Sequence, residues 1–166
     1  MMRGLELAAT FGPARAGDLD RVTELVQRTN QFNTTTIRYT RPELAAFLRS
    51  ERHRVYVATL CDKFGALGLV AVAIVERNNG DAVLNAFVMS CRAIGFQLER
   101  LVLRLVLDAQ SDAQRFIGRL VPTDRNTPAL GLFRECGFQQ AEPNAWILDR
   151  GMPWPDPPEW FRLTER

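Results

Sequence analysis

The sequence lacks the features that mark membrane-bound or nucleic-acid-binding proteins. Its 166 residues are 24% charged with a formal net charge of +2, and no basic block stands out that could follow a phosphate backbone. No apolar run approaches the ~20 residues that a membrane-spanning helix needs. The first residues, Met1 to Gly4, lack the sustained apolar core of a signal peptide. We therefore expect one globular domain in the cytoplasm, with neither nucleic acid nor a membrane as partner.

Histidine and cysteine are also scarce, and this limits the chemistry available. The single histidine, His53, stands between two arginines and is expected at the surface, so no Ser–His–Asp arrangement can be built from it. The cysteines are Cys61, Cys91 and Cys136, an odd number without metal-ligand spacing. We expect three reduced thiols and no metal site.

Apolar periodicity divides the chain into helices and strands. Helices are predicted after Asp18, where a capping residue precedes an apolar face, from Pro42 to about Arg49, and over Gln97 to Ala109. Strands are predicted over five apolar or alternating runs: Val55 to Leu60, Gly68 to Val75, Ala82 to Met89, Phe116 to Val121 and Ala145 to Leu148. Hairpins followed by a strand–helix–strand crossover indicate an α+β fold, with one domain over residues 1–150.

The C-terminal residues 151–166 differ in composition from the rest of the chain. They hold four prolines and three large aromatic side chains: Pro153, Pro155, Pro157, Pro158, Trp154, Trp160 and Phe161. Helix cannot continue through these prolines. We expect an extended tail that packs over the domain or over a partner.

The stretch Cys91 to Gln97 follows one predicted strand and opens a helix. Such a junction can aim backbone N–H groups and a helix N-terminus at a phosphate. Arg92 and Gly95 resemble the start of the Arg/Gln-x-x-Gly-x-Gly/Ala phosphate loop of the GCN5-related N-acetyltransferase (GNAT) superfamily, although Gln97 takes the last position. The alternative is a simple tight turn at Gly95 with Arg92 as a solvated charge.

A second segment, Asn126 to Phe138, resembles the Asn-x-x-Ala-x-x-x-Tyr/Phe-x-x-x-Gly-Phe segment that closes the same fold. The two motifs stand in the order that the superfamily shows, with a predicted strand between them. The resemblance implies a three-layer α/β/α GNAT fold. Its sheet is mixed, mostly antiparallel, and splayed between the fourth and fifth strands.

A narrower resemblance extends over roughly Leu19 to Phe138. The stretch Thr29 to Tyr39 is similar to a segment of FkbH-like proteins, as are three shorter segments in the same order: Asp62 to Gly65, Met89 to Arg92 and Pro122 to Asn126. The match falls on the GNAT-like domain of that family. The paired-aspartate motif of the family's phosphatase-like (HAD) domain is absent from the sequence, so its glyceryl-loading activity does not carry over. The resemblance implies a free-standing acyltransferase in natural-product, polyketide-type biosynthesis.

The resemblance also implies where the donor binds. Coenzyme A or the phosphopantetheine thioester of an acyl carrier protein would lie at the junction of strand and loop, on Phe87, Val88, Met89, Arg92, Ala93, Ile94, Gly95, Phe96, Gln97, Asn126 and Phe133. Gln97 would crowd a pyrophosphate or add an amide donor. A carrier-protein donor, which presents one phosphodiester, therefore stays open beside coenzyme A.

Both proton-transfer positions that the superfamily commonly uses are empty. Phe133 stands where many members have a tyrosine, and a phenyl ring cannot protonate a leaving thiolate. The strand before the loop lacks a glutamate, with Asn85 its only strongly polar side chain. Either the acceptor amine arrives neutral, or a residue elsewhere acts, or the nucleophile is a thiol. Cys91 would be that thiol, unless it is only a packed small hydrophobe.

Four polar residues are candidates for the acceptor site: Asn30, Asn33, Arg38 and Tyr39. Their donors suit a hydroxylated or carboxylated acyl group, although asparagines in such a stretch also hold turns. Asn126 is a candidate contact to the pantetheine or the acceptor, and helix capping alone would also explain it.

Three functions remain open from the sequence. The first is an acyltransferase that uses a phosphopantetheine thioester. The second is a non-catalytic module that binds a pantetheine arm or a carrier protein. The third is an interaction module whose Pro/Trp tail recruits a partner.

Overall fold

The computed structural model describes residues 2–166 as a sheet of nine strands flanked by four α-helices. The strands are β1 (Ala8–Pro13), β2 (Phe32–Asn33), β3 (His53–Asp62), β4 (Gly65–Asn78), β5 (Asp81–Met89), β6 (Arg115–Arg119), β7 (Gln139–Glu142), β8 (Ala145–Asp149) and β9 (Arg162–Glu165). The helices are α1 (Leu19–Arg28), α2 (Arg41–Arg49), α3 (Leu98–Ala109) and α4 (Leu132–Glu135). No helix among residues 2–166 is both long and apolar enough to cross a membrane.

The strands follow the order β7-β8-β6-β5-β4-β3-β1-β9, and β2 lies off this path against β5. Neighbours are antiparallel except for two parallel pairs, β5 with β6 and β1 with β9. Alternate residues of β4 face opposite sides, as a strand buried on both faces requires. Val72 and Ile74 pack with α1 and α2, whereas Ala73 and Val75 pack with α3 and α4. The predicted α/β/α layering and mostly antiparallel sheet are confirmed.

The parallel pair β5–β6 is short, and this shapes the middle of the sheet. Pairing runs from Asp81 with Arg115 to Leu84 with Gly118 and ends there. Residues 85–89 of β5 extend beyond this pairing. One edge of this segment pairs with β4, and the opposite edge has no partner in β6. We call the space beside this edge the gap.

The sequence missed the strands at one side of the sheet. β1 contains Gly12 and Pro13, and it lies beside β9, whose four residues are all exposed. Neither strand has the apolar alternation from which strands are predicted.

The predicted cap of α1 is wrong. Asp18 makes no capping bond to α1 and instead accepts a hydrogen bond from the Arg15 N–H at 2.7 Å.

The C-terminal residues pack on the domain. Trp154 meets Phe116 edge-on, with ring centroids 5.4 Å apart, and the Trp160 indole donates to the Phe96 carbonyl at 3.0 Å. The chain then enters the sheet as β9, where Arg162 to Glu165 pair with Ala8 to Phe11. Residues 151–166 are therefore joined to the same sheet rather than hanging from it.

Candidate functional site

The loop between β5 and α3 keeps the backbone geometry of the predicted phosphate site. Ser90 begins a 3-10 turn over Cys91–Ala93, and α3 starts at Leu98. Between them Gly95 has φ +102° and Gln97 has φ +62°, so both lie in the left-handed region that favours glycine. Gln97 thus adopts a backbone conformation suited to the small residue of the superfamily pattern. The N–H groups of Gly95 and Phe96 make no hydrogen bond within residues 2–166.

Other members of the predicted donor set contribute packing. Ala93 is fully buried, and Ile94 and Phe96 are partly buried against the core below α3. A Cβ added at Gly95 would meet nothing within 4 Å, so the space over this turn is open. The loop therefore offers backbone groups on one side and an apolar base on the other.

A pocket of 490 Å³ lies beside this loop, between α1 and the end of β5. We call it the arginine pocket. It is lined by Arg21, Glu24, Leu25, Arg28, Thr29, Asn30, Gln31, Ser90, Cys91 and Arg92. Three arginines and one glutamate are among the lining residues, so the pocket carries net positive charge and favours an anionic ligand.

The arginines of the pocket are held differently. Arg21 pairs with Glu24 at 2.9 Å and donates from Nε to the Leu69 carbonyl at 3.1 Å. Arg92 donates to the Leu67 carbonyl at 3.2 Å. Arg28 has no ion-pair or hydrogen-bond partner within residues 2–166 and is exposed. Its charge is therefore available to a ligand.

Cys91 is the one exposed thiol within the described chain. It lies at the rim of the arginine pocket, and its Sγ donates to Gln31 Oε1 at 3.4 Å. Cys136 is buried, and burial raises the pKa of its thiol to about 11. Cys61 is half-buried in β3, away from the pocket. The interpretation of Cys91 as a buried small hydrophobe is wrong.

The gap beside β5 is filled by the chain itself. Phe32 and Asn33 pair with Met89 and Val88 as β2. The next residue, Thr34, donates from its N–H to the Phe87 carbonyl at 3.1 Å and accepts the Phe87 N–H on Oγ1 at 3.0 Å. The edge predicted to bind the donor, Phe87 to Met89, is therefore already paired in this structure, and that prediction needs correction.

The filling segment is bonded to the other wall of the gap as well. The Val121 N–H donates to the Thr34 carbonyl at 2.8 Å. The Asn126 amide donates to the Asn33 carbonyl at 2.9 Å and to the Val121 carbonyl at 3.0 Å. Residues 32–34 thus bridge the strands that splay apart.

Asn126 and Asn33 are buried and hold the fold through hydrogen bonds, and neither is open to a ligand. Asn126 is fully buried and makes no capping bond to the 3-10 turn Thr127–Ala129, so its predicted cap is wrong. Its Oδ1 accepts two hydrogen bonds from Thr123, and its amide N–H groups donate to the Asn33 and Val121 carbonyls. No donor or acceptor of Asn126 is left for catalysis or for a ligand. Asn33 is also fully buried, so it does not line the acceptor site.

Phe133 packs in the core rather than at an open site. Its side chain is fully buried, with its ring 5.1 Å from that of Phe138. A Cβ added at Gly118 of β6 would fall 2.4 Å from the Phe133 ring. The prediction that Phe133 contacts the donor is not supported by this packing.

Of the remaining acceptor candidates, one lines the arginine pocket and two make structural contacts. Asn30 lines the arginine pocket. Arg38 donates to the carbonyls of Val26 and Thr29 at 2.8 and 2.7 Å and also contacts the Asn30 side chain, so it fixes the chain after α1. Tyr39 packs edge-on against Phe47 at 5.2 Å, and burial raises the pKa of its phenol.

Sequence reasoning missed the α1 side of the pocket. Arg21, Glu24 and Arg28 recur at helical spacing on one face of α1, beside the apolar face that packs on the sheet. A charged face on a helix is most often only solvated, which is why it gave no signal.

Sequence reasoning also missed Glu99. It lies in the first turn of α3, and burial raises the pKa of its carboxyl.

The sequence matches no protein-family model and no curated protein. Solved structures, however, share the fold over most of the chain. The ribosomal-protein-S18-alanine N-acetyltransferase from Escherichia coli has a TM-score of 0.65 at 18% identity, covering 87% of this chain and 96% of its own. A spermidine N-acetyltransferase from Vibrio cholerae, in complex with CoA and spermine, has a TM-score of 0.64 at 14% identity, covering 86% and 95%.

A GNAT-family protein from Desulfovibrio desulfuricans is similar to the same extent. Its TM-score is 0.67 at 14% identity, and the match covers 87% of this chain and 100% of that one. Identities this low establish architecture and leave the activity to the site itself. The chain has the fold of the GNAT acetyltransferases.

Proposed function

We propose that the protein is an acyltransferase that receives an acyl group from a phosphopantetheine thioester on the thiol of Cys91. The observation that carries this proposal is the position of that exposed thiol at the rim of the arginine pocket. The donor is an acyl-CoA or an acyl carrier protein, both of which present a phosphate next to the pantetheine. Arg21, Arg28 and Arg92 supply the positive charge that attracts such a donor.

The transfer involves no change of oxidation state and requires neither a metal nor an oxidant. The Cys91 thiol gives its proton to water, the resulting thiolate attacks the carbonyl carbon of the thioester, and the bond from that carbon to the donor sulfur breaks. The donor leaves as a thiolate and takes a proton from water, while the acyl group stays on Sγ. An acceptor thiol or amine then attacks the new thioester and releases Cys91. Exchange between a thiol and a thioester is nearly balanced in energy, so the transfer onto Cys91 needs neither the missing glutamate nor the missing tyrosine.

The biological setting is part of the same proposal. The resemblance to FkbH-like proteins over Leu19 to Phe138 favours a carrier protein of polyketide-type biosynthesis as donor or acceptor. An exposed reactive thiol needs a reducing compartment such as the cytoplasm.

Two observations favour a second function, a non-catalytic module that binds a pantetheine arm or a carrier protein. The edge of β5 is paired with Phe32–Asn33, and Phe133 brings no proton donor to the gap. In this second function the arginine pocket docks the phosphate of the partner and no acyl group moves.

Intact mass spectrometry after incubation with acetyl-CoA and with acyl-loaded carrier proteins separates the two. The acyltransferase predicts an adduct of one acyl group, located on the peptide that contains Cys91. Cys91→Ser should lose the adduct, whereas Cys61→Ser should keep it, because Cys61 lies outside the pocket. Binding of the donor without any adduct on the wild type would support the docking module instead.

A further inference from the structure

An extended chain with amide groups is usually recognised by the edge of a sheet. Pantetheine is such a chain, since its two amides can pair with backbone N–H and C=O groups as an added strand would. In this sheet β5 gives one edge to β4 throughout, and the other edge to β6 only as far as Leu84. The segment beyond Leu84 is therefore the place where an arm of this kind could pair.

That place is taken by Phe32 to Thr35, which we call the inner segment. Its polar groups bond to the carbonyl and N–H of Phe87 and, from Thr35 Oγ1, to the Asn85 carbonyl at 2.9 Å. Each bond uses a group of β5 that an incoming arm would need. The side chain of Phe32 fills the space beneath, 2% exposed and 5.5 Å from the Phe87 ring.

We infer that the inner segment is a permanent part of the sheet that replaces the donor's arm. The acyl donor then lies outside the sheet, across the arginine pocket, and reaches Cys91 from the side of α1. This inference rests on the proposed function for the identity of the donor. It adds that the donor binds over the arginine pocket, because Thr34 closes the edge of β5.

The inner segment is held too firmly to act as a removable strand. Asn33 Oδ1 accepts hydrogen bonds from the N–H groups of Thr35 and Thr36 at 3.3 and 2.8 Å, and its amide donates to the Thr29 carbonyl at 3.2 Å. Asn33 and Thr34 are both fully buried. Displacement would leave these polar groups unpaired, together with those of Phe87, Val121 and Asn126, and it would expose Phe32 to water.

A consequence for specificity follows from the placement. A donor bound in the gap would be selected by its amides, whereas a donor bound over the pocket is selected by its phosphate and by its acyl group. Arg28, whose charge has no partner within residues 2–166, is the group best placed to meet that phosphate. The protein then distinguishes donors by charge rather than by the length of the arm.

Amide exchange followed by NMR tests the inference on the full chain, first alone and then with saturating coenzyme A. We expect the N–H groups of Thr34, Phe87 and Val121 to exchange as slowly as amides at the centre of β4, with no change when coenzyme A is added. New protection or shifts would be confined to Arg28 and to residues 91–97.

Two results would overturn the inference. One is fast exchange at Thr34 or Phe87 in the free protein, because the inner segment would then be loosely held. The other is loss of protection at Thr34 and Val121 on addition of coenzyme A while Phe87 stays protected, since a ligand would then have taken the place of the segment. Both readings are independent of acyl transfer, so failure of the Cys91 adduct would remove the transfer to Cys91, whereas the exchange data alone decide whether the inner segment stays in the sheet and where coenzyme A binds.

Discussion

The ring of Phe133 lies on Gly118, the one residue of β6 without a side chain. A Cβ added at Gly118 would come within 2.4 Å of two ring carbons, closer than any packed pair of carbons allows. The glycine therefore makes room for the phenyl ring, which is completely buried. The contact ties α4 to the centre of the sheet.

Gly118→Ala should lower the free energy of unfolding by about 1–3 kcal/mol, because the added methyl group overpacks this contact. Phe133→Leu, which removes the ring, should relieve part of that cost. Chemical denaturation of both single variants and of the double variant measures the coupling, expected at about 0.5–3 kcal/mol. Strictly additive effects would show that Gly118 and Phe133 do not share this space.

Thr34→Val should lower the free energy of unfolding by about 1–3 kcal/mol, because it leaves the buried Phe87 N–H without an acceptor. Thr34→Ser keeps the hydroxyl and should recover most of the loss. Thr23→Val is the matched control, since the Thr23 hydroxyl donates to the Leu19 carbonyl on a partly buried face of α1. Equal losses for Thr34→Val and Thr23→Val in urea denaturation would contradict the prediction.

Arg28→Gln should weaken binding of coenzyme A by about 10- to 100-fold, since one charged hydrogen bond contributes about 1.5–3 kcal/mol. The dependence of affinity on salt should also become shallower. Isothermal titration calorimetry at two salt concentrations measures both effects. Arg49→Gln, at the end of α2 and outside the pocket, is the control and should bind like the wild type.

Asp18→Asn should change how stability responds to acid. Its ion pair with Arg166 holds the pKa of the Asp18 carboxyl below the ordinary 3.8, because the hydrogen-bonded guanidinium favours the charged form. A carboxyl with a lowered pKa stabilises the fold above its unfolded pKa, and this stability is lost as the pH falls through the folded pKa.

The Asp18→Asn protein should therefore be less stable at neutral pH and should lose less stability between about pH 4 and pH 2. Thermal unfolding over that range measures the difference. Asp20→Asn, which removes an exposed carboxylate two residues away, serves as the control. A wild-type pH profile retained in Asp18→Asn would contradict the assignment.

The sequence predicted the layers of the fold because they follow from long apolar runs. The faces of α1 and α3, and the runs of β4 and β5, are buried where their periodicity places them. The prediction failed where structure depends on partners distant in sequence. β9 has four exposed residues and forms only because β1 offers its edge.

The candidate site was predicted in part for a similar reason. The loop with Arg92 and Gly95 has a local pattern of residues, so it could be recognised. The inner segment has none, since Thr34 becomes a partner of Phe87 only when residues 53 positions apart meet. Polar residues in a connection after a helix usually indicate a solvated loop, whereas here the burial of Asn33 and Thr34 makes them part of the sheet.

The parallel pairing of β1 with β9 has a consequence for how the chain folds. Ala8 pairs with Arg162, roughly 150 residues away along the chain, so the closure of this edge is among the least local contacts of the fold. Until β9 docks, β1 presents a row of unsatisfied N–H and C=O groups on its outer side. Such a row is a template for the strand of another molecule. Slow docking of β9 would therefore make aggregation during refolding depend on protein concentration, with β1 as the surface at risk.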